Sequence, residues 1–296
     1  MTSAARFPYS GVMGEAPQRP DPGPSPQAAL RPGLVGAGRI LAECSYLGAF
    51  FQGWQVQAKG ERTVQGEVET VLRRLYKEYV PAIAAGRTDT GVHAERQYFH
   101  FNPPFDIPLE GLWRGLNAYL PWDIRVHRTW RVGEAVHARN SVLSKTYRYT
   151  LQTGGILSPF DALTVHAWYG PLDEGLMREA AALLPGERDF RPFTVQPGGY
   201  TSTVRHLTRF DLKRSGRRLV FAVSADGFMR HMVRRLVGTV VEVGRGARPV
   251  EWVRGLVERG EGEAGPPIDG RGLCLAEVVY PPLTSFPSAP IISPLA

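Results

Sequence analysis

The chain has 296 residues, and its 35 Lys and Arg against 28 Asp and Glu give a net charge of +7, which suits a polyanionic partner. Its two cysteines, Cys44 and Cys274, indicate neither a disulfide framework nor a Cys-based metal site and favour a reducing cytoplasm. No apolar run approaches the ~20 residues that span a bilayer, and the first residues lack the order of a signal peptide, so we expect a soluble cytoplasmic protein.

The first elements follow a proline-rich segment. Residues 1–36 contain few large apolar side chains, and this composition predicts a disordered extension. The elements then predicted are, in chain order, a strand at 40–46, a helix at 64–75, a strand at 98–101, a helix at 112–120 and a strand at 124–132. Thr63 is a suitable N-cap for the first helix, and alternation of apolar and polar residues from Ile124 to Val132 indicates a half-buried strand.

The second half repeats this order. Its predicted elements are a strand at 147–151, a helix at 173–184, strands at 204–212 and 219–225, helices at 228–243 and 251–258, and a strand at 273–280. Asp173 is the expected N-cap of the first of these helices.

The order of elements predicts an α+β fold of two ferredoxin-like modules. We place the modules at residues 37–140 and 141–284 and expect a flexible tail at 285–296. Antiparallel sheets with helices on one face would leave the other face free for a ligand.

The most informative segment runs from Gly86 to Ala94, with the sequence GRTDTGVHA. Two glycines bracket it, so Asp89 is expected on a bend, and Arg87 is expected to keep its carboxylate ionised. An ionised carboxylate in such a loop can act as a nucleophile. The alternative is an Asp-x-Gly turn in which Asp89 bonds only its own backbone.

A second basic feature lies in the helix predicted at 228–243. Apolar residues cover one arc, and the four candidate cations Arg230, His231, Arg234 and Arg235 are predicted to form one stripe on the other. This stripe fits either a phosphate-binding surface or a solvated helix face. Tyr147 and Tyr149 share one face of their strand, where they serve either as stacking platforms for bases or as core residues.

Several other chemistries lack their sequence signals. There is no Walker A loop, no Gly-x-Gly-x-x-Gly after a strand, no His-Glu-x-x-His and no Cys-x-x-Cys, and the histidines show no metal-ligand spacing. We therefore expect carboxylate chemistry on a polyanionic substrate, without a metal or an organic cofactor.

The Asp89 segment is similar to the catalytic motif of the TruA family of tRNA pseudouridine synthases. Further matches fall in the family's order: Gly53-Trp54-Gln55, Thr63-Val64-Gln65, Asn117 before Leu120-Pro121, His137-Ala138-Arg139, Tyr147-Arg148-Tyr149, Met232-Val233-Arg234 with Gly238, and Gly272-Leu273. Several short matches in order are more specific than one motif. They span about residues 38–283.

The resemblance implies a defined activity and site. It implies two α+β domains with a basic cleft, a homodimer that binds tRNA across both subunits, and cofactor-free isomerisation of uridine to pseudouridine at tRNA positions 38 to 40. By motif position Asp89 resembles the catalytic aspartate, Arg87 the arginine that assists base flipping, and Tyr147 the tyrosine that packs on the target uracil. Arg205 and Arg234 resemble basic residues that border the active site.

The chain also departs from the family pattern. Leu47 stands where the family usually has Asp, and Val136 and Asn140 replace phenylalanines that commonly flank His-Ala-Arg. These changes lie outside the Asp89 loop, so altered packing or tRNA contacts are expected rather than lost activity. A non-catalytic RNA-binding module remains one alternative. A glycosidase is another, although that chemistry needs a second acid near Asp89, and Glu95 is the nearest one in the sequence.

Overall fold

A computed structural model describes residues 38–282, except 59 and 261. The predicted extension at 1–36 and tail at 285–296 lie outside the described residues. The strands of the first half are β1 (Arg39–Tyr46), β2 (Ile83–Ala84), β3 (His93–Phe101) and β4 (Ile124–Val132). Its helices are α1 (Val64–Tyr76) and α2 (Leu109–Tyr119).

The second half contributes six strands and three helices to the described part of the chain. The strands are β5 (Ser144–Thr153), β6 (His166–Trp168), β7 (Gly186–Asp189), β8 (Val204–Ser215), β9 (Arg218–Ala225) and β10 (Leu273–Val279). The helices are α3 (Glu174–Ala182), α4 (Met232–Gly244) and α5 (Val250–Arg259). The sequence patterns missed the short strands β2, β6 and β7, because two to four residues are too few to establish an alternation.

One sheet runs through both halves, in the order β4-β1-β3-β10-β5-β9-β8-β7, with β2 on β3 and β6 on β5. Most neighbouring strands are antiparallel, which confirms the predicted α+β class, whereas β10 pairs in parallel with β3 and β6 with β5. The pairing of β3 with β10 brings the Asp89 loop, which leads into β3, close to the start of β10. The module boundary near residue 140 lies just before β5 and stays a prediction.

Two helices begin as their capping residues predict. The Thr63 hydroxyl accepts a hydrogen bond from the Gly66 amide, and the Asp173 carboxylate accepts one from the Leu176 amide. Helix α1 buries Val64, Val68, Val71 and Leu72 against the sheet core. Local capping and apolar spacing therefore sufficed to place both helix starts.

The alternation predicted for β4 holds only for part of the strand. Glu43 pairs with Arg128 and Cys44 pairs with Val126, so His127 is an extra residue in β4 at a register shift. Such an irregularity changes which face the following side chains occupy. Consequently Thr129 is buried, and Trp130 packs on a separate small cluster around Leu41.

Helix α4 begins at Met232, four residues later than predicted. His231 adopts a φ of 62°, a left-handed conformation that is uncommon for a residue with a side chain, and this turn precedes the first helical residue. The apolar spacing continues through the turn, which explains why periodicity alone placed the start too early. Within residues 38–282, no helix combines the length and apolar character that a membrane crossing requires.

Candidate active site

Asp89 lies in a cavity of about 920 Å³ that is lined from several parts of the chain. Its walls include six of the eight predicted site residues, namely Arg87, Asp89, Tyr147, Arg230, His231 and Arg234. Arg205 and Arg235 are not among the lining residues. Residues separated by up to 147 positions in the sequence therefore meet around one carboxylate.

The loop that carries Asp89 is held by the segment after β1. The hydroxyls of Tyr46 and Thr88 are hydrogen-bonded at 2.8 Å, and the Trp54 amide donates to the Thr88 carbonyl at 3.1 Å. A Cβ on Gly53 would stand 2.5 Å from that carbonyl, so this position requires glycine for the close approach. These contacts fix the backbone beside Asp89 before any ligand binds.

The two bracketing glycines have different functions. Gly91 has a φ of +77°, as expected for a bend. Gly86 is not among the positive-φ residues, and a Cβ there would lie 3.2 Å from the Lys145 Nζ. The absence of a side chain at Gly86 therefore leaves room for a lysine from β5.

The basic groups nearest the Asp89 carboxylate come from His231, just before α4, and from Arg234 in its first turn. Asp89 Oδ2 lies 3.7 Å from Arg234 Nη1 and 3.8 Å from His231 Nε2. Arg87 makes no ion pair with Asp89 in the described part of the chain and is exposed in the cavity wall. The expectation that Arg87 is the partner of Asp89 is therefore wrong. Folding brings Arg234 and His231 to that carboxylate instead.

Arg234 is itself held in place. Its Nε donates to the Ile268 carbonyl at 2.6 Å, and the Ile268 amide donates to the Arg234 carbonyl at 3.2 Å. Burial lowers the pKa of His231, and the positive charges of the neighbouring arginines lower it further against the opposing effect of Asp89. His231 Nδ1 is buried without a hydrogen-bond partner among the described residues.

Tyr147 lies in the same cavity with its ring largely buried. The ring meets Phe228 edge-on, with 5.2 Å between centroids. Burial raises the pKa of the Tyr147 hydroxyl, and the negative charge of Asp89 raises it further, so the hydroxyl keeps its proton at neutral pH. The site thus combines a carboxylate, two basic side chains and a neutral phenol.

Comparison with known proteins identifies the family. A family model described as tRNA pseudouridine synthase matches residues 180–281. The tRNA pseudouridine synthase A of Bordetella avium is 38% identical over 84% of this chain and 94% of that protein. The corresponding values are 39%, 84% and 94% for Paraburkholderia phymatum and 40%, 82% and 99% for Bacillus pumilus. This chain belongs to the tRNA pseudouridine synthase A family.

The predicted family and activity are thus confirmed, and the synthase is an isomerase. A solved Cbf5-Nop10-Gar1 complex also matches, with 10% identity over 68% of this chain and 45% of that chain. Its TM-score of 0.31 is too low to carry an argument about the fold.

The four cations predicted as one stripe of a helix do not share a surface. In the synthase Arg230 and His231 precede α4, and Arg235 is buried on another side of that helix, where its Nη2 donates to the Ala264 carbonyl at 3.1 Å. Consecutive helical residues point about 100° apart, so Arg234 and Arg235 cannot both face Asp89. The single stripe was therefore wrong, although Arg230, His231 and Arg234 do line the cavity.

The two remaining arginines of the prediction lie near the cavity edge. The Arg230 amide donates to the Tyr200 hydroxyl at 2.7 Å, and its side chain lines the cavity. The Arg205 guanidinium lies 5.8 Å from the centre of the Tyr200 ring and donates to the Ser202 carbonyl at 2.9 Å. Tyr200 thus links these arginines at the cavity rim.

Two cavity residues of the synthase were missed as candidates, Arg139 and Lys145. Lys145 precedes Tyr147 by two positions in β5, and the strand period of two places both on one face of the sheet. That spacing was a usable signal. Arg139 belongs to the matched His-Ala-Arg segment, but nothing local indicates that it reaches the cavity.

Leu47 and Glu95, which the sequence singles out, lie outside this cavity. Leu47 lines a separate cavity, and its amide donates to the Asp123 carbonyl at 3.0 Å. Glu95 is paired with Arg148 and does not line the Asp89 cavity. In residues 38–282 apart from 59 and 261, no three His, Cys, Asp or Glu side chains lie close enough to hold a metal ion.

Proposed function

We propose that this synthase converts uridine to pseudouridine in the anticodon stem-loop of tRNA, at positions 38, 39 and 40, with Asp89 as the reacting carboxylate. The observation that carries the proposal is the placement of Asp89 beside Arg234 and His231 in a cavity that Tyr147 also lines. The ionised form of a carboxylate is the form that acts as a nucleophile or a base.

The reaction needs only groups that this chain supplies. The bond from ribose C1′ to uracil N1 breaks, the base turns, and a bond from C1′ to C5 forms, while C5 loses its proton and N1 gains one. The target must first leave the helical stack, which costs a few kcal/mol. Arg87 is exposed at the cavity wall and can occupy the vacated space.

Tyr147 would pack its ring on the extruded uracil in this scheme. Stacking of a base on an aromatic ring contributes roughly 1–3 kcal/mol. The edge-on contact with Phe228 holds the ring in a fixed orientation. Its neutral hydroxyl is then available to exchange a proton near C5.

The proposal includes the larger assembly implied by the family. Arg205 and Arg230 at the cavity rim would contribute positive charge for tRNA, in a basic cleft between two ferredoxin-like modules. Two subunits would bind one tRNA across a homodimer in the cytoplasm. The +7 charge of the chain supports a polyanionic partner.

The test is to map the product in defined tRNA transcripts. We expect the purified protein, without added cofactor, to form pseudouridine in transcripts that carry uridine at only one of positions 38, 39 and 40. A matched transcript with cytidine at all three positions should remain unmodified. Tight tRNA binding without any pseudouridine would instead support the RNA-binding module, and modification only outside the anticodon arm would contradict the proposed positions.

A further inference from the structure

Three basic side chains that the Asp89 carboxylate does not neutralise lie together in the cavity wall. Arg87, Arg139 and Lys145 all line the cavity. Lys145 Nζ lies 3.2 Å from the position of a Cβ on Gly86, the residue next to Arg87. Arg234 and His231, by contrast, lie beside Asp89.

These three side chains have no partner of opposite charge at close range. Within the described residues, none of them forms an ion pair, and none donates a side-chain hydrogen bond to a protein acceptor. Asp226 is the acid whose charge acts on Lys145, and it lies beyond ion-pair distance. Clustered like charges are unfavourable without a counterion, and they are therefore typical of an anion site.

The cost of holding these side chains charged lowers the pKa of two of them, Lys145 and Arg139. Burial and, to a smaller extent, the charge of Arg139 lower the pKa of Lys145 to about 8, against the opposing effect of Asp226. Burial also lowers the pKa of Arg139, with a further contribution from Arg87. A bound anion would remove this cost by neutralising the mutual repulsion.

We infer that Arg139 and Lys145 form a binding site for one backbone phosphate of the RNA, beside the target nucleotide, while Arg87 next to them stays free to occupy the space that the extruded base leaves. The inference rests on the proposed function, since it takes the cavity as the site of the extruded uridine. A phosphodiester presents two charged oxygens, and an arginine can donate to both of them. This site would set the register of the RNA, while Asp89 and Tyr147 act on the nucleoside.

The experiment measures binding without turnover. Stem-loop RNAs are made with one neutral methylphosphonate at each linkage around the target uridine in turn, all with the same 2′-O-methyl sugars. Dissociation constants are measured for the Asp89→Asn protein and for the same protein with Arg139→Gln or Lys145→Met. We expect one linkage whose neutralisation weakens binding by about tenfold in the Asp89→Asn protein and by much less in both double variants.

The matched control is Arg128→Gln in the same Asp89→Asn background. Arg128 is exposed in β4 and does not line the cavity, so the linkage effect should stay at its full size. If every linkage keeps its full effect in both the Arg139 and Lys145 variants, the phosphate site is wrong. Weaker binding by Lys145→Met without coupling to any linkage would assign the lysine to base or sugar and would also overturn it.

This result is separable from the outcome for the proposed function. The binding cycle needs no catalysis, whereas pseudouridine formation is measured on the wild-type protein. A linkage effect without pseudouridine would leave the phosphate site standing and remove the activity. Pseudouridine formation without a linkage effect would support the activity and overturn the phosphate site.

Discussion

At the residue scale, the site consists of the side chains that surround the Asp89 carboxylate. The Asp89 segment predicts the reacting carboxylate, and the Tyr147 motif predicts the aromatic ring beside it. The partners Arg234 and His231 lie over 140 positions away in the sequence, so only the folded chain shows that they replace Arg87 beside Asp89. Close contacts such as Gly53 against the Thr88 carbonyl likewise have no local signature beyond a glycine.

Tyr147→Phe tests whether the phenol hydroxyl moves a proton. The substitution keeps the ring and its contact with Phe228, so RNA affinity should be unchanged. If the neutral hydroxyl exchanges the C5 proton, release of tritium from C5-labelled uridine should slow by roughly 10²- to 10⁴-fold, the usual range for general acid–base catalysis.

The control for this substitution is Tyr149→Phe. Tyr149 lies in the same strand but does not line the cavity, and its hydroxyl donates to the Asp269 carbonyl at 2.9 Å. This variant should lose stability and keep the tritium-release rate. Equal rates for wild type and Tyr147→Phe would restrict Tyr147 to packing.

At the element scale, capping and apolar spacing predicted most helices and strands. They failed where a special backbone conformation interrupts a regular pattern, as at His231 before α4, or where a register shift redirects side chains, as at His127 in β4. Both irregularities are set by neighbouring strands and loops rather than by the local sequence. The turn at His231 matters for function because it brings that ring to Asp89.

A buried histidine in β3 gives a prediction for stability. The ring of His100 packs on that of His137 at 4.6 Å between centroids, and its Nδ1 accepts a hydrogen bond from the Ala138 amide at 3.0 Å. Burial lowers the pKa of His100 to about 4, with smaller contributions from Arg39 and His137. The ordinary value for an unfolded chain is about 6.5.

The sign of the effect follows from proton binding. Between pH 6.5 and pH 4 the unfolded chain binds a proton at His100 and the folded chain does not, so the free energy of unfolding falls as pH is lowered, by about 3 kcal/mol. His100→Asn keeps a hydrogen-bond acceptor and should flatten this dependence. Urea unfolding across that range is the measurement. An unchanged slope in His100→Asn would contradict the assignment.

At the scale of the whole molecule, the α+β class followed from the order of elements, but the joining of the two halves did not. The register that pairs Cys274 with His93 and Leu275 with Ala94 connects strands about 180 residues apart. The two short parallel strand pairs leave no recognisable pattern in the sequence. This sheet and α4 nevertheless bring Asp89, Tyr147 and Arg234 to one cavity, although they lie far apart in the sequence.

The most direct test of the account is the chemistry of Asp89→Asn. This variant removes the charge and keeps the shape of the side chain, and loss of a negative group among cations should not weaken affinity for RNA. Asp173→Asn is the matched control, because Asn also caps a helix and Asp173 lies outside the cavity.

Tritium release from C5-labelled uridine in tRNA is measured under single-turnover conditions with saturating protein. We expect wild-type release for Asp173→Asn and no detectable release for Asp89→Asn, although both variants bind the tRNA. Release by Asp89→Asn at a rate near that of the wild type would contradict it, because the reaction would then proceed without the carboxylate around which the site is built.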